Sequence, residues 1–234
     1  MPTSDVVVIG SGINGASCAY HLAARGLSVT VLDREPGPAM GSTGRSAAGV
    51  RVQFTTEANV RLSLYSLPVF REFRERHGRD IGYRAIGYLL LVPESRWAAH
   101  LDSVALQHRL GAPVEVLDPA EARRYVDFDV EGLAGATFGP WDGIIDPHMA
   151  CMAWVDMARE LGATFRMSAP VTAVEPSAEG WTLVAGGERY TCGWVVNAAG
   201  AWAGEVAGLA GLDVPVGPKR IQIFLSAPHS DPRT

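Results

Sequence analysis

Gly10, Gly12 and Gly15, with Asp33 placed 18 positions after the third glycine, are the first residues whose types and spacing suggest chemistry. Together they can hold a diphosphate and a ribose. Gly10 permits a tight turn, Gly12 lets a pyrophosphate approach the backbone, and Gly15 lets the following helix pack closely on a strand. The amides at the start of that helix, around Ile13 and Asn14, can bind the anion without a basic side chain. Asp33 would accept from ribose hydroxyls, and its charge disfavours a 2′-phosphate despite the neighbouring Arg34.

Such a turn works only between particular elements, and the flanking sequence supplies them. Val6 to Ile9 is an unbroken apolar run of β-branched residues, as in a parallel strand buried on both faces. Ala16, Ala19, Leu22 and Ala23 fall at helical spacing, and Gly26 stands where the helix would stop. Residues 28–33 then read as a second strand ending in the acid. A bare run of spaced glycines is weak evidence; this one has its strand, helix, second strand and acid in order.

A nicotinamide domain would continue with another helix and strand. Here Glu35-Pro36-Gly37-Pro38 breaks the pattern, and residues 40–51 form a long loop of small and hydroxylated residues. Loops of this length without periodicity are usually functional. Small residues allow a flat ring to lie against the backbone, whereas a plain surface loop would carry more Lys, Glu and Asp.

At this point the chain resembles the glutathione-reductase-like FAD domain, in its D-amino-acid oxidase and sarcosine oxidase branch. The resemblance rests on the glycine turn with Asp33, the loop STGRSAAGVRVQF (42–54) and the segment EANVRLSLYSL (57–67). GYLLL (87–91), DGIIDP (142–147) and WVVNAAGAW (194–202) extend it over nearly all of the chain. It is strongest toward the sarcosine oxidase β-subunit and dye-linked proline dehydrogenase group. The fold it implies is α/β: a Rossmann-like FAD-binding domain with an inserted α+β substrate domain on a mixed or antiparallel sheet. Residues 1–80 and 142–210 would form the FAD domain. Residues 81–141 and 211–234 would belong to the substrate domain, incomplete as given.

The resemblance also implies roles. Ser42, Thr43, Arg45, Ser46, Ala48 and Gly49 would line the flavin loop. Val171 would meet the adenine through its backbone. The turn Ala198-Ala199-Gly200 would lie back against FAD, with Trp202 at the cofactor's edge or simply in the core. Arg51 matches the family arginine that grips a substrate carboxylate, a surface or phosphate-facing role being the plainer alternative. Phe54 would wall the substrate. Relatives continue into a further stretch that holds the flavin's pyrimidine end and carries oxygen-handling groups. The residues given therefore correspond to an N-terminal portion, completed by more chain or by a second polypeptide.

The remaining elements are read from periodicity and caps. Residues 57–77 form a helix that Pro68 kinks or splits and Gly78 stops. A strand is expected over 84–92 and a helix from Glu94 to Leu110, closed by Gly111. Asp118-Pro119 with Glu121, and Asp146-Pro147, read as helix starts. A strand at 133–138, a helix over 147–161, strands near 163–167, 170–175, 181–185 and 188–196, and a final strand Lys219–Leu225 complete the reading. His148 reads as a surface or capping residue, and Trp141 and Asp142 as turn residues.

Composition narrows the classes. Hydrophobic residues make up 47% of the 234 and charged residues 19%, which excludes a disordered chain. A net charge of −5 argues against a nucleic-acid binder. No run approaches the roughly 20 apolar residues of a membrane span, and the N-terminus lacks the basic region of a secretory signal. Three cysteines without a CxxC give neither a disulfide framework nor a metal site, so a cytoplasmic, reducing compartment is expected. The leading reading is FAD-dependent oxidation of the C–N bond of a small amino or imino acid (sarcosine, proline or D-amino-acid type), with oxygen or another carrier as electron acceptor. Oxidation of an α-hydroxy acid or glycerol phosphate, a non-catalytic flavoprotein assembly factor, and a nicotinamide module stand as alternatives.

Overall fold

Val6, Val7 and Val8 are at most 2% exposed, so the first strand is buried on both faces, as its unbroken apolar run requires. The computed structural model describes residues 2–222. Strand β1 (Thr3–Ile9) leads through the glycine turn into helix α1 (Ile13–Ala23), and Gly26, at φ 82°, turns the chain into β2 (Val29–Leu32). The loop that follows is irregular except for a single 3-10 turn at Thr43–Arg45, before the short β3 (Gly49–Val50). Helices α2 (Glu57–Arg71) and α3 (Phe73–His77) divide at Glu72, and the left-handed Gly78 ends α3. Pro68 thus splits the expected helix, the break falling one turn beyond the ring.

Strand β4 (Tyr88–Pro93) precedes α4 (Glu94–Arg109), closed near Gly111 at φ 87°. After β5 (Glu115–Leu117), Asp118 and Glu121 form the reciprocal cap of α5 (Pro119–Ala122). Strands β6 (Leu133–Gly139) and β7 (Gly143–Ile144) lead to α6 (Pro147–Glu160), whose first turn is capped by Asp146. Then come β8 (Thr164–Arg166), β9 (Val171–Ser177), β10 (Gly180–Ala185), β11 (Glu188–Asn197) and α7 (Ala203–Leu209).

The chain divides into two compact units. The first, residues 1–47 and 146–222, is built on a six-stranded sheet in the order β8-β2-β1-β11-β10-β9. β8, β2, β1 and β11 run parallel, and β10 and β9 continue antiparallel. Val6, Val8, Val29 and Val31 meet Ala19, Ala23 and Ala158 on one face; Val7, Ile9, Leu32 and Leu183 form the core on the other. Small alanines on α1 and α6 let both helices sit close to the sheet.

The second unit, among the described residues, covers 48–145. Its antiparallel sheet β4-β6-β5 and the pair β3-β7 pack with α2 and α4 around Val52, Val60, Leu67, Val104 and Val114. Residues 48–80 lie in this unit, where the sequence assigned them to the FAD domain, and 211–222 lie in the first.

Two strand expectations change. Arg84–Ile86 lie outside β4 because Gly87, at φ 75°, breaks the extended run; Arg84 instead makes an isolated antiparallel bridge to Ile144. Lys219–Gln222 form no strand. They are exposed and pair with no ladder among the described residues, and alternation alone does not make a strand without a partner. The rest of that expected strand lies outside the described residues.

Candidate functional site

Three adjacent parallel strands of the first unit, β2, β1 and β11, deliver Asp33, Gly10 and Ala198 at their carboxyl ends. This is the crest of an open α/β sheet where ligands bind. Gly10 holds φ 104° and donates its amide to the Leu32 carbonyl at 2.8 Å. A Cβ on Gly10 would drive into the Ala198 carbonyl, and one on Gly15 into the carbonyl of Gly10. Both glycines are therefore demanded by chain packing on chain. Gly12 caps α1 and faces the Thr43 hydroxyl, which accepts the Ile13 amide at 3.0 Å.

The start of α1 differs from those of α5 and α6, each capped by an aspartate. Its N-cap, Gly12, has no side chain and no acid stands in its first turn; the Thr43 hydroxyl takes the Ile13 amide, Gly15 is buried and Asn14 exposed. A helix N-terminus with no N-cap side chain and no acid in its first turn fits a diphosphate.

Asp33 makes contacts within the chain that its position in sequence did not reveal. Its Oδ2 accepts both the amide and the hydroxyl of Ser11 at 2.6 Å, and its Oδ1 accepts the Glu35 amide at 2.9 Å. It ties the glycine turn to β2. A carboxylate has about four acceptor positions, so one remains for a ribose hydroxyl. Ser168 and Ala169 donate their amides to the carbonyls of Glu35 and Asp33, which brings the chain to Val171, the first residue of β9, beside this end of the sheet.

Arg34 and Trp202, both expected at the cofactor, are each other's partners: the guanidinium carbon sits 3.8 Å from the ring centroid. The returning turn is pinned by a residue that sequence reasoning passed over. The Asn197 side chain accepts the Ala199 amide at 3.3 Å and donates to the Ala203 carbonyl at 2.8 Å, while Gly200 takes φ 57°. In the loop after β2, Gly44 donates its amide to the Ala39 carbonyl, and Ser42, Arg45 and Ser46 are exposed. Ser42–Ser46 belong to the first unit; Ala48, at φ 48°, and Gly49 belong to the second. Beneath the glycine turn, the fully buried Cys151 points its thiol at the Ser11 carbonyl, 3.4 Å away, and burial pushes that thiol up to about 12. The helical spacing of Cys151 with Trp154, Val155 and Ala158 marks it as core, but nothing local says what it meets.

In the second unit Arg51 is half-buried between two rings, Phe54 at 4.9 Å and Tyr88 at 5.7 Å from its guanidinium carbon. Among the described residues no carboxylate forms an ion pair with it. Phe54 thus lines the arginine, and Tyr88 joins it. Asp142 is more than a turn residue: it is fully buried and accepts the Val52 amide at 2.8 Å. Burial pushes its carboxyl up, against the pull of hydrogen bonds from Gln53 and Val52 and of the nearby Arg51 charge. His148 is exposed at the second position of α6.

Strand, glycine turn, open helix and acid-terminated strand define a dinucleotide-binding protein, and the mixed sheet with a second antiparallel unit suits the flavin class. The chain belongs to the DAO family of FAD dependent oxidoreductases, whose family model matches residues 5–234. It is 29% identical to the "FAD-dependent oxidoreductase domain-containing protein 1" of Bos taurus, over 95% of this chain and 54% of that protein. It is 32% identical to the monomeric sarcosine oxidase of Streptomyces avermitilis, over 92% of this chain and 56% of that enzyme. The crystal structure of L-proline dehydrogenase from P. horikoshii superposes with a TM-score of 0.83 at 31% identity, covering 91% of this chain and 57% of that one. The chain thus spans about half the length of these relatives. The family is FAD-dependent, which removes the nicotinamide alternative.

Proposed function

We propose that this chain forms the FAD-holding and carboxylate-gripping part of an enzyme that oxidises the C–N bond of a small amino or imino acid. The observation that carries the reading is Arg51, its guanidinium over the rings of Phe54 and Tyr88 and in no ion pair among the described residues. A guanidinium stacked but not ion-paired keeps its planar fork for an incoming carboxylate, and bidentate pairing fixes orientation as well as charge. Sarcosine and L-proline, named in two of the relatives, each carry that carboxylate beside a secondary amine.

The division of labour follows. The bound FAD would supply the hydride acceptor. The first-turn amides of α1 would hold its diphosphate and Asp33 its ribose, with Gly10 and Gly15 allowing the turn to close. Arg51 would hold the substrate by its carboxylate, and the rings of Phe54 and Tyr88 would keep that arginine still and partly dry. Positioning of this kind is the protein's share of the catalysis.

The test is anaerobic addition of sarcosine, L-proline or glycine to the FAD-loaded full chain. Bleaching of the flavin's visible absorbance is expected with at least one. Arg51→Lys, which loses the planar fork but keeps the charge, should raise KM for that substrate by about tenfold or more. Absence of bleaching with all three, or an unchanged KM in the variant, overturns the reading.

A further inference from the structure

An arginine that reads a carboxylate must be held in place, and among the described residues Arg51 makes no ion pair to hold it. What stands beside it is a buried, directional network. Asp142 and Thr137 are 0% exposed and Gln53 5%. Asp142 Oδ1 accepts the Val52 amide at 2.8 Å, and its Oδ2 accepts Gln53 Nε2 at 3.1 Å. The same Gln53 nitrogen donates to the Tyr88 carbonyl at 2.9 Å. Gln53 Oε1 accepts the Thr137 hydroxyl at 2.7 Å. With that hydrogen committed, Thr137 Oγ1 is left to accept from His100 Nε2 at 3.0 Å.

From His100 through Thr137 and Gln53 the donors run one way, toward a carboxylate that accepts on both oxygens, with one Gln53 hydrogen branching to the Tyr88 carbonyl. The direction fixes the Gln53 amide, because a flipped amide would set its oxygen against Asp142 and its NH2 against the Thr137 hydroxyl hydrogen. The geometry also shows what the network holds. Asp142 fastens Val52 by its main chain and Gln53 by its side chain, the two residues that follow Arg51. Through Gln53 it fastens the backbone of Tyr88, one of the two rings on Arg51. The other ring is tied as well, since the Phe54 carbonyl accepts Gln107 Nε2 at 2.8 Å. Room for the carboxylate is reserved by Gly139, where a Cβ would collide with Asp142.

We propose that Asp142 is a positioning residue for substrate recognition: acting through the Val52 amide and the Gln53 carboxamide, it fixes Arg51 between Phe54 and Tyr88 without itself touching the substrate. The proposal rests on the reading of Arg51 as the carboxylate grip. Asparagine at 142 matches aspartate in shape but brings an NH2 that must face either the Val52 amide or the Gln53 NH2. Donor then meets donor, and the network cannot close.

The experiment measures the Kd of acetate, as a bare carboxylate probe, from perturbation of the flavin spectrum in the FAD-loaded full chain. FAD content, Tm and kcat at saturating substrate are measured alongside. Asp142→Asn should weaken acetate by about tenfold while FAD content and kcat stay within about twofold, a split that general loss of structure does not produce. Arg51→Ala is the control. If Arg51→Ala weakens acetate and Asp142→Asn does not, the positioning role is overturned while the Arg51 reading stands. If Arg51→Ala leaves acetate unchanged, the carboxylate reading itself fails. Should Asp142→Asn not fold or hold FAD, Thr137→Val decides. It removes the hydroxyl that orients Gln53 and should weaken acetate about threefold; an unchanged Kd overturns the proposal.

Discussion

The two units build their functional residues from different material. In the first, the candidate nucleotide site is made of main chain: the start of α1, the Gly10 turn closed on Ala198, and Gly15 closed on Gly10. In the second, Arg51 is held by side chains, with Asp142, Gln53 and Thr137 hydrogen-bonded out of solvent and two rings on the guanidinium. A main-chain site is general, since amides suit any diphosphate, and it depends on atoms being absent. A side-chain site is particular, and it depends on distant partners being present. Cofactor binding shared across a family suits the first kind, and choice of substrate suits the second.

The sharpest way to break this contrast is Gly15→Val. Its Cβ would land on the backbone carbonyl of Gly10, which has no flexible end to yield, so a loss of more than about 4 kcal/mol and of bound FAD is expected. Thermal unfolding and flavin content measure both; a stable, yellow variant would mean the turn is not the site's foundation.

Next in size is an alkaline effect beneath the same turn. The Cys151 thiol is pushed up to about 12 from an ordinary 9.0, chiefly by burial. The folded protein therefore keeps a proton that the unfolded chain gives up. Stability from this group is full below about pH 9 and is lost progressively toward about pH 12. Urea melts across that range should show a shallower alkaline decline for Cys151→Ala than for the parent; matching slopes would remove Cys151 as the cause.

In the second unit, Tyr88→Ala removes one ring from Arg51. A cation–π contact is worth about 1 kcal/mol, so KM for a carboxylate substrate should rise roughly fivefold with FAD content unchanged. Loss of FAD instead would show that the two sites are not separable in the way the contrast requires. The smallest effect is expected at Asp146, whose Oδ1 accepts the Met149 amide and closes the N-terminus of α6. Asp146→Ala should lower stability by about 1 kcal/mol and leave FAD content alone, because this helix end, unlike that of α1, is closed by its own cap.

What could be read in advance follows the same division. The turn at Gly10, Gly12 and Gly15 and the strand that ends at Asp33 were legible because their spacing is local, as were the end of α4 near Gly111 and the caps at Asp118 and Asp146. Lys219–Gln222 were misread as strand because alternation says nothing about a neighbouring ladder, and Arg84–Ile86 because the left-handed turn at Gly87 breaks the run before β4. Arg34 and Trp202 were each marked for the cofactor, yet their mutual stacking spans the chain and left no trace in either neighbourhood.

By itself the sequence determined the strand–turn–helix–strand unit and the residue types at its crest. Turns, caps and periodicity act over a few residues, and composition records them directly. Only the tertiary structure decided that Asp33 also fastens Ser11, that Asn197 pins the returning turn, and that Asp142 lies buried against Val52 and Gln53. Those contacts join residues far apart in the chain, and a polar side chain's partner is chosen by which elements pack together, a choice no single stretch of sequence contains.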